Sequence, residues 1–126
     1  MGLRPRGGGK AGAQILRPDD AALVAQGRTI YRANCAACHG PALQGEPGWR
    51  TTAGKAPAHD ASGHTWHHPE KMLLMITKQG TMMRGGRMPG FSGQLSDGQI
   101  IAVLSYIKSR WPDEIRAAND RVSGRP

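Results

Sequence analysis

The sequence predicts an all-α fold of three main helices joined by two long loops. Three observations carry this. Apolar residues recur at three- and four-residue steps in three stretches, residues able to cap a helix stand where those stretches begin, and no segment alternates apolar and polar residues as a strand would. A length of 126 residues suits one compact domain. With 38% hydrophobic residues and Phe91 as the only phenylalanine, the side chains offer a modest core that a large apolar group at the centre would complete.

Residues 1–17 open with Arg-Pro-Arg-Gly-Gly-Gly after Leu3, lack any period and read as a flexible basic N-terminal tail or linker. The folded domain is expected over residues 18–112. Asp19 or Asp20 can cap a first helix whose Leu23, Gly27, Ile30, Tyr31 and Asn34 share one face, and which delivers Cys35 at its C-terminal end. Residues 40–68, rich in Gly and Pro, form a long loop, and a loop of this length usually has a function or wraps around something.

A second helix starts at Pro69, an N1-type proline followed by Glu70, and stops at Gly80. Its Met72 and Met75 read as core residues among Leu73 and Ile76. Residues 81–95 make the second loop. The third helix has the clearest start: Ser96-Asp-Gly-Gln99 has capping-box spacing, its apolar face is Ile100, Val103, Leu104, Ile107 and Trp111, and Pro112 ends it. Residues 113–126 are expected to be a C-terminal tail.

The formal net charge is +8 and the pI is near 10.3. Arg4, Arg6, Lys10 and Arg17 stand without an acid in residues 1–17, while the acids and arginines of 112–126 balance. No helix concentrates Lys or Arg on one face and few aromatics interleave with them, so a nucleic-acid surface is not expected. A basic surface favours acidic partners or anionic lipid head groups. No run approaches the roughly 20 apolar residues of a membrane span, and the N-terminus has no apolar secretory core.

Chemistry concentrates at Cys35-Ala-Ala-Cys38-His39, the spacing used to attach a c-type haem: two thiols add to the porphyrin vinyl groups and the adjacent histidine ligates the iron. Cys-x-x-Cys also serves disulfide redox proteins, there placed after a strand in a βαβ unit. A zinc site combining Cys35 and Cys38 with His64 and His67 is chemically adequate as well.

With this motif the chain resembles the class I c-type cytochromes over about residues 18–112. Gly27 and Tyr31 stand before the motif as the family's small residue and aromatic do, and Val103-Leu-Ser-Tyr106-Ile-Lys matches its C-terminal helix. The resemblance implies the class I cytochrome c fold, with three main helices and long loops wrapped around one covalent haem c. It implies that His39 and a methionine of the second loop are the axial iron ligands. Met88-Pro-Gly-Phe91 looks like the family's ligand loop, so Met88 is the expected ligand, with Met82 and Met83 as the competitors. The family also orients its proximal histidine with a proline carbonyl: Pro57 is the candidate here, and Pro41 and Pro47 compete. Trp66 is expected to hold the haem propionates through its indole N–H, with His59, His64, His67 and His68 as further donors.

The expected function is outer-sphere electron transfer by a carrier that is not itself an enzyme, shuttling between redox proteins with acidic docking surfaces. Arg28, Arg32, Lys55, Lys71, Lys78, Arg84 and Arg87 would supply the steering charge. The alternative is a haem c subunit or fragment of a larger oxidoreductase complex, feeding its catalytic centre. Haem attachment of this kind implies the periplasm or the outer face of the cytoplasmic membrane, with a removed N-terminal signal or anchor as the route to membrane association.

Overall fold

Asp20 opens the first helix by accepting a hydrogen bond from the Leu23 amide on Oδ1 at 3.0 Å, which satisfies one of the orphan donors of the first turn. That helix, α1 (Ala21–Asn34), buries Gly27 and Tyr31 and ends at Cys35. The computed structural model describes residues 15–124. A single turn, α2 (Ala36–His39), follows at once, with Gly40 at φ +87° turning the chain away. After the long loop, which includes a 3-10 turn at Thr65–His67, come α3 (Glu70–Gln79), α4 (Asp97–Ser109) and α5 (Asp113–Val122). No strand occurs among the described residues.

The fold is organised by the crossing of α1 on α4. A methyl group added at Gly27 would overlap the carbonyl of Ala102 and press on Tyr106 Cβ at 3.0 Å, so glycine is what lets the two backbones meet. Beside the crossing, the Tyr31 and Tyr106 rings pack at 5.6 Å between centroids, and the Tyr31 hydroxyl donates to the Gly40 carbonyl at 2.7 Å. This last bond ties α1 to the chain leaving the motif. Ile100, Val103, Leu104, Ile107 and Trp111 extend the core, as the sequence pattern predicts. The capping box at α4 is complete, with Ser96 Oγ accepting from the Gln99 amide and Gln99 Oε1 accepting from the Ser96 amide.

Three expectations need correction. The segment expected as a tail through residue 17 is anchored at its end: Leu16 is buried, Ile15 and Leu16 amides donate to Glu70 Oε1 at 3.1 and 3.2 Å, and the Arg17 amide donates to Ser105 Oγ. Residues 1–14 of that expected tail lie outside the described residues. The expected C-terminal tail contains α5, held by Asn119, whose Nδ2 donates to the carbonyls of both Trp66 and His68. The third helix stops at Ser109, and Trp111 reaches the core from beyond its end. On α3 the face bearing Glu70 and Leu73 turns inward.

The inward Glu70 belongs to a buried ionic node. Lys108, fully buried on α4, places Nζ 2.7 Å from Glu70 Oε2, 2.7 Å from Asn119 Oδ1 and 2.6 Å from Asp120 Oδ1. One ammonium thus joins α3, α4 and α5, and Glu70 carries the link on to the entering chain.

Candidate functional site

The two thiols and His39 emerge where α1 ends and α2 makes one turn. Cys35 is half-buried, Cys38 is exposed, and neither forms a disulfide. Burial, with a smaller contribution from Cys38, pushes the Cys35 thiol up to about 11. This is the opposite of the lowered thiol that a disulfide-exchange motif needs. The zinc alternative fails on geometry, since no group of three or more potential metal ligands is gathered among the described residues.

His39 is buried, and its Nδ1 lies 2.8 Å from the Pro57 carbonyl. A carbonyl can only accept, so the ring proton sits on Nδ1 and Nε2 carries the lone pair, the arrangement a metal-ligating imidazole requires. Burial holds the ring below the usual histidine range, although the Pro57 carbonyl and Glu46 act in the other direction. The neutral ring is the ligating form. Of the three prolines considered, Pro57 is the one that contacts His39 in this way. Two free thiols, a neutral imidazole with its ligating nitrogen selected, and a partly buried thioether elsewhere in the core together form a donor set that fits haem c.

Met88 lies in a loop clamped to the end of α3. Its carbonyl accepts from the Thr81 amide at 3.0 Å, its amide donates to Thr81 Oγ1 at 3.2 Å, and the Phe91 amide donates to the Thr77 carbonyl at 3.0 Å. Gly80, at φ +74°, sits so close that a Cβ there would press on Gly90 N, Pro89 C and Met88 O. Met88 is partly buried against the core and Phe91 is buried within it. Met82 and Met83 lie on an exposed 3-10 turn, with relative exposures of 62% and 100%, so neither side chain enters the interior.

Trp66 departs from the role expected of it. Its indole Nε1 donates to the Ala61 carbonyl at 3.0 Å, and an indole has a single N–H, so that donor is committed to holding the loop. The ring packs against the core and stacks on His67 at 3.9 Å between centroids. Among the four loop histidines, His59 takes a place the sequence did not reveal. Its ring lies 4.0 Å from that of His39, its Nδ1 is 2.6 Å from Thr65 Oγ1, and its carbonyl accepts from Trp111 Nε1 at 2.8 Å. Burial, reinforced by His39, pushes the His59 imidazole down to about 3, so a second neutral ring backs the proximal one. The available signal was position alone, two residues after Pro57.

The proposed steering charges divide. Lys55 and Lys78 are paired with Glu46 and Asp97, at 3.8 and 3.1 Å. Arg28, Arg32, Lys71, Arg84 and Arg87 are exposed and make no ion pair within 4 Å among the described residues. No helix among the described residues is long and apolar enough to cross a membrane.

A family model described as Cytochrome c matches residues 24–111. Among curated proteins, the chain is similar to a Cbb3-type cytochrome c oxidase subunit CcoP of Azospirillum brasilense, 35% identical over 72% of this chain and 30% of the relative. Proteins of the same description match from Azospirillum sp. (strain B510), at 33% identity over 70% of this chain and 29% of the relative, and from Cereibacter sphaeroides, at 34% over 70% and 28%. The chain therefore spans less than a third of the length of these relatives. No solved structure gives a significant match.

Proposed function

Because the chain belongs to the cytochrome c family, we propose that it transfers electrons through one haem c attached at Cys35 and Cys38 and ligated by His39 and Met88. The observation that carries this reading is the His39 Nδ1 contact with the Pro57 carbonyl, directly beside two free thiols, because it leaves Nε2 as the ligating atom. When bound, the haem supplies a one-electron ferric–ferrous couple. The protein's own part is to hold that group and set its environment.

Cys35 and Cys38, at the junction of α1 and α2, provide the thioether anchors, and their spacing across one turn fixes His39 next to them. Pro57 and His59 fix the His39 ring from its hydrogen-bonding edge and from its neighbouring face. The clamp of the 81–91 loop on α3 presents Met88, with Pro89 restricting it to an extended backbone and Phe91 as an apolar wall against water. A thioether is a soft, neutral donor, so His/Met ligation gives a higher potential than two imidazoles would.

The reading is of a carrier domain with no catalytic residues of its own. Its redox partners are proteins with acidic surfaces that meet the free arginines. A second reading, a haem c subunit or fragment of a larger oxidoreductase, is favoured by the similarity to Cbb3-type cytochrome c oxidase subunits. The proposed location is the periplasm or the outer face of the cytoplasmic membrane, where such haem attachment takes place.

The test is Met88→Ala. It is expected to abolish the sulfur-to-ferric-iron charge-transfer band, lower the potential and open the iron to cyanide. If the band survives in Met88→Ala and disappears in Met82→Ala or Met83→Ala, the ligand assignment fails.

A further inference from the structure

Four of the chain's five histidines fall within residues 59–68, and His39 is the fifth. His59 is committed to His39 and Thr65, and His68 is half-buried with its carbonyl held by Asn119. His64 and His67 are both exposed, and no hydrogen bond to another described residue engages either ring.

His64 is the N-cap and His67 the last residue of the 3-10 turn Thr65–His67, three positions apart, and in a 3-10 helix side chains at i and i+3 eclipse one another. Their ring centroids are 5.5 Å apart with planes inclined at 42°. Both rings also have walls. His67 stacks on Trp66, itself pinned by its bond to the Ala61 carbonyl, and His64 meets Trp49 in a T-shaped contact at 6.1 Å. Exposed histidines are ordinarily free to scatter over rotamers, so this packing lowers the entropy cost of bringing two imidazoles to one point.

We propose that His64 and His67 form a bidentate surface site for one divalent transition-metal ion of the zinc or copper class, separate from the haem attachment site. A metal–nitrogen bond of about 2.0–2.1 Å puts each ring centre about 3.2 Å from a shared ion, so two ligating rings have centres about 4.5 Å apart at a right angle and about 6.4 Å apart when opposed. The 5.5 Å separation lies inside that interval and close to the roughly 5.2 Å of a tetrahedral pair. Imidazole selects zinc, copper and nickel over the hard cations that prefer oxygen ligands. With two protein nitrogens, solvent completes the coordination shell. Arg50, which lies on the Trp49 ring at 4.6 Å and holds the Ser62 carbonyl, adds a positive charge to the same patch and moderates the affinity.

Isothermal titration of the haem-loaded protein with Zn2+ alone tests the site. The expected result is one ion per chain, with binding weakened at least tenfold in His64→Ala and again in His67→Ala, and unchanged in His68→Ala. Cu2+ added to the ferric protein is expected to give an electron-spin spectrum with nitrogen hyperfine structure that both variants lose. Because both side chains are exposed, the melting midpoint should stay that of the parent. His64→Gln and His67→Gln serve where an alanine variant does not fold. Absence of Zn2+ binding by the parent protein, or full-strength binding after either histidine is replaced, overturns the proposal.

Discussion

Lys108→Met removes the ammonium from the buried node while keeping the length and apolar stem of the side chain. In the native protein that ammonium meets Glu70, Asn119 and Asp120 at 2.6–2.7 Å, with side-chain exposures of 1% for Lys108 and 0% for Glu70. Removing one partner of a buried pair leaves a charge that the interior solvates poorly, at a cost of about 3–5 kcal/mol, out of a total stability of roughly 5–15 kcal/mol for a domain. At about 4 °C per kcal/mol for a chain of this size, the melting midpoint should fall by roughly 12–20 °C. Urea unfolding followed by far-ultraviolet circular dichroism reads the free energy directly. Glu70 Oε1 also holds the Ile15 and Leu16 amides, so hydrogen exchange at those two amides should accelerate in the variant. The double variant Glu70→Gln/Lys108→Met keeps an acceptor for those amides and removes the buried, unpaired charge of Glu70, so it should lose less than its two single variants combined. A loss below about 1 kcal/mol in Lys108→Met, or strict additivity of the cycle, would refute the reasoning that the node acts as one coupled unit.

Two further outcomes follow from the packing and the surface. Gly27→Val should push α1 off the Ala102 carbonyl and cost the roughly 1–3 kcal/mol typical of overpacking, read as a lower urea midpoint; an unchanged midpoint would mean that the crossing tolerates a side chain. Electron transfer to an acidic redox protein should slow between 0.1 and 1 M salt, as the Debye length falls from about 10 to about 3 Å, and it should slow further at low salt in Arg84→Gln/Arg87→Gln; rates indifferent to salt would reduce those arginines to ordinary surface.

The three main helices were legible because each announces itself locally. Asp20, the Ser96–Gln99 box and Gly80 are short-range signals whose meaning does not depend on the rest of the chain. Gly27, Tyr31 and Tyr106 were legible through a resemblance, and the reason for their contact is steric: the α1–α4 crossing leaves no room for a side chain at residue 27. The anchoring of residues 15–17 and the docking of α5 were not legible, because both depend on the buried node. Lys108 continues the Ile100–Leu104 stripe at the next four-residue step, and a lysine in an apolar stripe demands partners, but nothing local says that they are Glu70, Asn119 and Asp120.

At the site, the attachment motif was plain from spacing, whereas the surroundings of His39 needed the fold. Three prolines competed for the carbonyl role, and only the path of the long loop puts Pro57 against Nδ1. Trp66 was singled out for its donor, and the structure gives that donor to Ala61. His59 was grouped with its exposed neighbours, yet two residues beyond Pro57 the chain necessarily passes the same imidazole.

The central claim is that Cys35 and Cys38 carry a haem covalently, beside His39. Intact-mass measurement of the purified protein before and after acid–organic extraction tests it most directly. The expected result is a polypeptide heavier than its sequence by one haem, with the added mass retained through extraction and lost in Cys35→Ala/Cys38→Ala. A bare polypeptide mass, or a haem released by the extraction, would contradict it.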